Sequence, residues 1–335
     1  MKNKKILVTG ASGYIGSTFT YEALKKGFCV VGIDNFSNSS PLIISKLLDK
    51  FPKYFDFYEV DLRDKSQILN LFLKEQNLEC IVHFAALKSV PDSQINAQLY
   101  QKNNVQGTRN LLAASEKVKI KKIVFSSTAA VYGEHKTQPV CENFLPKPES
   151  YYAQTKLECE EIIKKHSKQK GIGALSLRYF NPVASHRDYF IHEDYKNSSN
   201  LMSVIIKAAT NKIDSLKIFG NDFDTRDGTG ERDFIHISDL IDGHFFAIDK
   251  LTSFKSYDEI NIGTGKGITV LEMIAAFKKY NNVEFNTEIV GRRDGDISRN
   301  FANTDKAARF LGWQSSYNLK DMCIDSWVSI QNEIK

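Results

Sequence analysis

The chain has 335 residues, 42% of them hydrophobic and 25% charged, which suits a globular protein of two domains or one elaborated α/β unit. A net charge of only +5 excludes the dense basic face of a nucleic-acid binder, so Lys117–Lys122 and Lys2, Lys4 and Lys5 read as solvated faces. Five scattered cysteines without a CxxC pair argue against a disulfide framework or a zinc site and for a reducing compartment.

No apolar run approaches the roughly 20 residues that cross a bilayer. The first lysines lead straight into Ile6-Leu7-Val8 without a signal-peptide pattern, so a cytoplasmic protein with no metal and no membrane partner is expected. Six apolar, β-branched runs predict strands at Lys5–Thr9, Cys29–Asp34, Asp56–Asp61, Cys80–Ala85, Lys122–Ser127 and Ala174–Phe180. Between them, amphipathic stretches predict helices at Tyr14–Lys26, Ser66–Gln76, Val105–Lys117 and Tyr151–Lys170. Near-continuous apolar strands alternating with helices are the mark of a doubly wound α/β fold with a parallel sheet. The rhythm changes after Phe180: residues 181–200 are polar, a helix follows near Leu201–Asn211, and Gly220–Gly230 is glycine-rich. The expected organisation is a Rossmann domain over 1–180 and a smaller mixed C-terminal domain over 181–335, with 233–265 returning to the first.

The first strand ends in Thr9-Gly10-Ala11-Ser12-Gly13-Tyr14-Ile15-Gly16. Gly10 allows a tight turn, Gly13 lets the backbone approach a pyrophosphate at the helix N-terminus, and Gly16 permits close helix–sheet packing. Tyr14 and Ile15 belong to the same turn. Glycine turns also occur as plain connections, but here Asp34 ends the second strand, where a carboxylate binds the adenosine ribose and repels a 2′-phosphate. That favours NAD over NADP. Asp61-Leu62, at the end of the third strand, either meets the adenine or is a solvated loop.

Tyr152 and Lys156 stand at i and i+4, on one helix face. A free phenol has a pKa near 10, and a neighbouring ammonium together with an oxidised nicotinamide favours the phenolate. The pair then serves as an acid/base catalyst for a hydroxyl group. YxxxK is common by chance; it gains weight by following a strand that ends Ser126-Ser127-Thr128, where Thr128 offers a hydroxyl to the substrate oxygen.

Together these motifs resemble the extended short-chain dehydrogenase/reductase superfamily across nearly the whole chain. The chain is similar, more narrowly, to the UDP-glucose 4-epimerase family. That likeness rests on Asp34-Asn35, His83-Phe84-Ala85-Ala86-Leu87-Lys88, Arg178-Tyr179-Phe180-Asn181-Pro182-Val183 and Phe219-Gly220-Asn221-Asp222. It rests further on Asp227–His236, Asp242-Gly243-His244 and Arg292-Arg293-Asp294-Gly295-Asp296.

The resemblance implies an enzyme that keeps NAD bound through turnover and inverts C4 of a UDP-hexose through a transient 4-keto sugar, with Tyr152 taking the O4 proton. It implies cofactor contacts from Asn35, Phe84, Ala85, Lys88, Asn103, Ser126 and Tyr179, although an aromatic at a strand end, like Tyr179, also reads as core. On the substrate side it implies Asn181, Asn200, Lys217, Phe219 and Asp296, with Lys88, Thr128 and Tyr152 at the sugar. Arg232 and Arg293 would clamp the diphosphate with fixed, always-charged donors, unless they are plain surface arginines. Family members are commonly homodimers through helices equivalent to Val105–Lys117 and Tyr151–Lys170.

The chain departs from the family at Thr128, where the best-known members carry serine, and over the loop His186–Ser199. Asn300 aligns where bulk closes the pocket to N-acetylated sugars, so UDP-N-acetylglucosamine and UDP-N-acetylgalactosamine are expected as further substrates. A 4,6-dehydratase needs an acidic pair after Thr128, where Ala129-Ala130 stand. A decarboxylase would need a carboxylate site that is not evident, and a non-catalytic NAD sensor typically lacks the Tyr/Lys pair.

Overall fold

The computed structural model describes residues 4–334 apart from Gln76, Tyr189, His192, Asn197 and Asp294. Among them the strands begin with β1 (Lys5–Thr9), β2 (Cys29–Asp34), β3 (Phe55–Glu59), β4 (Leu78–His83), β5 (Lys122–Thr128) and β6 (Gly173–Tyr179). They continue with β7 (Asn181–Val183), β8 (Leu216–Phe219), β9 (Glu231–His236), β10 (Tyr257–Ile262), β11 (Gly267–Thr269), β12 (Thr287–Val290) and β13 (Arg299–Asn300). The helices are α1 (Tyr14–Lys25), α2 (Leu42–Lys50), α3 (Lys65–Lys74), α4 (Val90–Ile95), α5 (Ala97–Tyr100) and α6 (Gly107–Lys117). After them come α7 (Tyr151–Lys170), α8 (Leu201–Ala209), α9 (Ile237–Lys250), α10 (Val270–Asn281) and α11 (Leu319–Ile334).

The chain forms two compact units. The first comprises the chain up to Val131, Pro146–Arg178 and His244–Ile260; the second comprises Tyr132–Leu145, Tyr179–Gly243 and the chain from Asn261 onward. In the first, a seven-stranded sheet runs in the order β10-β6-β5-β4-β1-β2-β3. The pairings β1 with β2, β1 with β4, β2 with β3 and β4 with β5 are parallel. This is the doubly wound α/β order, whose reversal between β1 and β4 makes a crevice at the strand C-termini. Helices cover the sheet, which is why β1, β2 and β4 read as nearly unbroken apolar runs. One face buries Leu7, Val31, Ile33, Ile81, Ile123 and Phe125 against Phe72, Leu111 and Ile163.

The second unit is mixed: β9 pairs antiparallel with β11 and parallel with β13 and β7, and β8 pairs with β12. Its own core includes Ile205, Leu216, Ile218, Phe234, Met273 and Phe277. Local chemistry sets the helix ends. Asp64 caps α3 through Ser66 N and Gln67 N, Ser150 caps α7 through Ala153 N, and Thr269 with Glu272 forms a capping box on α10.

The predicted helix Val105–Lys117 is not one regular element. Gln101–Gln106 is π-helical and α6 starts at Gly107. A π turn widens the backbone by one residue, which a 3.6-residue pattern does not register.

Candidate active site

In the first unit, the glycine turn closes tightly on itself. Gly10 has φ +70°, and a Cβ there would lie 2.7 Å from Ala85 N; one on Gly16 would meet Gly10 O at 2.0 Å. Gly13 differs. Its φ of −71° and ψ of 163° suit any residue, and an added Cβ would touch only Gly10 O, at 3.5 Å. The protein itself therefore does not demand glycine there, whereas a group seated on the turn would. No side chain caps α1 at Gly13, as a helix N-terminus that receives a phosphate requires.

The Asp34 carboxylate stands beside this turn. It accepts Ser12 N at 3.1 Å, Phe36 N at 3.0 Å and Ser39 Oγ at 3.2 Å. Ser12 and Ser39 are supports that sequence reasoning passed over. Asn35 donates to Asp61 at 3.2 Å, and Arg63 Nε lies within 3.0 Å of both Asp61 oxygens. The Arg63 guanidinium is the main cause holding the Asp61 carboxyl down at about 2. Asp61, Arg63, Gln67, Gln106 and Asn110 line an open cleft, and Leu62 is buried beside it, its carbonyl accepting Asn110 Nδ2. These are the features an NAD site needs: a cradle that a methyl would fill, an uncapped helix start and a fixed carboxylate.

The residues expected to react, Thr128, Tyr152 and Lys156, lie on two elements. Ser150 starts α7, which places Tyr152 in the first turn of a 20-residue helix, where the macrodipole favours negative charge. Thr128, at the end of β5, accepts Ala130 N at 3.2 Å and hydrogen-bonds Tyr152. The Thr128 hydroxyl keeps its own proton free to donate to the phenol oxygen once that oxygen is charged. Burial pushes the Tyr152 phenol up to about 12, and the Thr128 bond acts against it. Lys156 Nζ donates to Ser126 O at 2.7 Å and lies 4.7 Å from the Phe125 ring centroid. Burial lowers its pKa to about 8, opposed by Cys159 and Glu160.

Asn103 Nδ2 donates to Asn104 Oδ1, and Asn104 ties Leu87 N and O to Thr155 Oγ1. The π-helical segment thus connects the strand-end loop carrying exposed Lys88 to α7. Ala85 N donates to Thr9 Oγ1, and the Phe84 ring packs against Phe19 and His244. Buried His83 sits between Thr9 and Thr108, its pKa lowered to about 3 by burial and Lys156, so it is neutral.

The second unit carries the residues expected on the substrate side. Asn300 pairs with Arg232 across β13 and β9. Arg232 Nη1 donates to Glu231 O at 3.0 Å, and Nη2 lies 3.8 Å from Asp296 Oδ1. The Asn300 Oδ1 atom is buried and has no hydrogen-bond partner among the described residues. Buried Asp233 accepts Thr264 N, Gly265 N and Ala302 N, which ties the strand after Asn300 to the one carrying Arg232. Arg293 lies over the Phe219 ring at 3.6 Å. Lys217 is exposed on β8, paired in register with Glu288, and Asn181 is exposed on β7. Asn200 Nδ2 donates to Glu193 Oε1 at 2.6 Å. Tyr179 is buried at the end of β6. Asp294 lies outside the described residues. The structure thus gathers Arg232, Asp296 and Asn300 in one cluster and Phe219 with Arg293 in another. Asp233 falls within the Asp227–His236 motif, yet its part in tying distant backbone groups together was not read from it, and Glu193 gave no signal, because its partners Ser198, Asn200 and Ser203 come together only in the folded chain.

The fold and the glycine turn define a dinucleotide-dependent enzyme of the short-chain dehydrogenase type, and residues 6–263 match the NAD dependent epimerase/dehydratase family, to which this chain belongs. UDP-glucose 4-epimerase of Bacillus subtilis (strain 168) is 42% identical over 324 residues, covering 96% of this chain and 95% of that protein. Within the family, the chain is a member of the UDP-glucose 4-epimerases. The UDP-glucose 4-epimerase of Stenotrophomonas maltophila, solved with bound NAD and formylated UDP-arabinopyranose, superposes with a TM-score of 0.94 at 35% identity over 99% of both chains. The UDP-Glc/GlcNAc 4-epimerase of Campylobacter jejuni is also 35% identical, with a TM-score of 0.85 over 98% of this chain and 99% of that one.

Proposed function

We propose that this protein interconverts UDP-glucose and UDP-galactose with the help of bound NAD. The observation that carries the reading is the Thr128–Tyr152–Lys156 arrangement on the unit that bears the glycine turn and Asp34. Bound there, NAD would supply reversible hydride exchange at C4 of the sugar. Tyr152 takes the O4 proton as the 4-keto sugar forms and returns it after the sugar has turned over. Thr128 donates to the phenol oxygen and stabilises its charged form, as does the start of α7. Burial alone disfavours the phenolate, so the positive charge of oxidised nicotinamide, added to Lys156, is the complement the site needs. Gly10, Gly13, Tyr14, Ile15, Gly16, Asp34, Asn35, Asp61, Leu62, Phe84, Ala85, Lys88, Asn103, Ser126 and Tyr179 serve the cofactor. Asn181, Asn200, Lys217, Phe219, Arg232, Arg293 and Asp296 serve the UDP group.

N-acetylated UDP-sugars belong to the same proposal. An asparagine at 300 is smaller than an aromatic ring, and its unpartnered Oδ1 can accept an N–H or hydroxyl donor. The assembly is proposed as a homodimer, supported by Val90, Ile95, Leu99 and Tyr151, which expose apolar surface on α4, α5 and α7. Five free cysteines support a reducing, cytoplasmic setting. Incubating the purified protein with UDP-galactose, without added NAD, tests the main reading. UDP-glucose should form, and its absence with NAD also supplied would refute the assignment.

A further inference from the structure

Three successive residues at the end of β5 each grip the same face of α7. Thr128 bonds Tyr152, Ser126 O accepts Lys156 Nζ, and Ser127 Oγ donates to Glu160 Oε1 at 2.5 Å. Tyr152, Lys156 and Glu160 are spaced at i, i+4 and i+8, one above another on the helix. Glu160 is held from the other side by Arg178 of β6, with Nε to Oε1 at 3.0 Å and Nη2 to Oε2 at 2.6 Å. The pair is nearly sealed from solvent, with side-chain exposures of 4% for Arg178 and 2% for Glu160.

A buried ion pair is a poor source of stability, since desolvation offsets most of its attraction and apolar residues of like volume do as well or better. Its presence one turn beyond the reactive lysine therefore asks for another reason. We propose that Glu160 is a positioning residue for epimerisation: it locks α7 in register with β5 and keeps the Lys156 ammonium charged beneath Tyr152. This rests on the epimerase reading above.

The surrounding groups isolate the effect. Around Lys156 stand Cys159 and Glu160 on its own helix and His83 on β4, with Tyr152 one turn before it on α7. Facing Glu160 are Arg178 and, from β10, Tyr257. Burial raises Cys159 to about 11 and Tyr257 well above 10, and lowers His83 to about 3, so all three are uncharged near neutrality. Among these groups, Glu160 is the one whose carboxylate supports the Lys156 ammonium against burial. Removing the carboxylate takes that support away and disfavours the cation on Lys156.

The test uses the NAD-bound protein as purified, comparing wild type, Glu160→Gln and Glu160→Asp on UDP-galactose across pH 6–10. The ammonium is lost as pH rises through its pKa, so Glu160→Gln should shift the alkaline limb of kcat down by roughly one pH unit. Its kcat at neutral pH should fall by roughly 10- to 100-fold while KM stays within about twofold. Glu160→Asp, which keeps the charge, should keep the wild-type limb. An unmoved limb in Glu160→Gln, or a KM that rises in step with the loss of kcat, would overturn the proposal. If Glu160→Gln gives no folded protein, Ser127→Ala decides: a several-fold lower kcat at unchanged KM and NAD content upholds the coupling, and a wild-type kcat refutes it. A wild-type chain silent on UDP-galactose would instead defeat the epimerase reading and this proposal with it.

Discussion

Substituting alanine at Gly13 separates what the fold requires from what the cofactor requires. The backbone there already has dihedrals open to alanine, and the new methyl would meet only Gly10 O, at an ordinary 3.5 Å. The gain from a less flexible unfolded chain, about 0.4–1 kcal/mol, works against a loss of similar size from replacing glycine at a helix N-cap. The NAD-free protein should therefore keep its stability to within about 1 kcal/mol. The same methyl occupies the space through which a pyrophosphate approaches the helix start. A hundredfold weaker affinity corresponds to about 2.7 kcal/mol, which is also the stabilisation that ligand at a hundred times its Kd confers. The assay is paired: NAD released on denaturing the purified protein, and thermal unfolding with and without added NAD. Gly13→Ala should carry little NAD and lose the NAD-dependent rise in Tm, with an NAD-free Tm close to wild type. Gly16→Ala, whose methyl would lie 2.0 Å from Gly10 O, should instead be unstable with or without NAD. A Gly13→Ala protein that retains a full complement of NAD would refute this reading of the turn.

Other expectations follow from single contacts. Tyr152→Phe removes the proton carrier and leaves the ring, so kcat should fall by roughly 10²–10⁴ while NAD content stays as in wild type; full activity would discard Tyr152 as the base. Arg232→Ala should raise KM for the UDP-sugar by roughly 10- to 100-fold, the size of one or two charge-assisted hydrogen bonds, and isothermal titration with UDP would show the same loss. Asn300→Tyr fills the space beside Arg232 and should suppress turnover of UDP-N-acetylglucosamine while sparing UDP-glucose. Equal rates on both sugars in that variant would remove position 300 from the control of substrate size.

Much of the first unit was legible in the chain because its signals are local. The glycine turn, the carboxylate ending β2 and the Tyr152/Lys156 spacing each lie within one strand–turn or one helix face, where backbone geometry alone fixes the neighbours. The helix Tyr151–Lys170 begins after a capping serine and ends before a glycine, so its limits were readable to the residue. The π-helical segment before α6 was not, since the residues that widen the helix there are held by Leu87 and Thr155, far away in sequence. Asp34 was marked by its position, yet its bonds to Ser12 and Ser39 needed the folded turn.

Glu160 gave no sign of its role: within α7 it reads as one more acidic residue among Glu158, Glu160 and Glu161. Only the sheet decided that it faces inward, by bringing Ser127 of β5 and Arg178 of β6 against one turn of one helix. Periodicity and spacing determine what each segment is. Which buried charges meet is settled by strand order, because parallel strands far apart in the chain become neighbours only when the sheet closes.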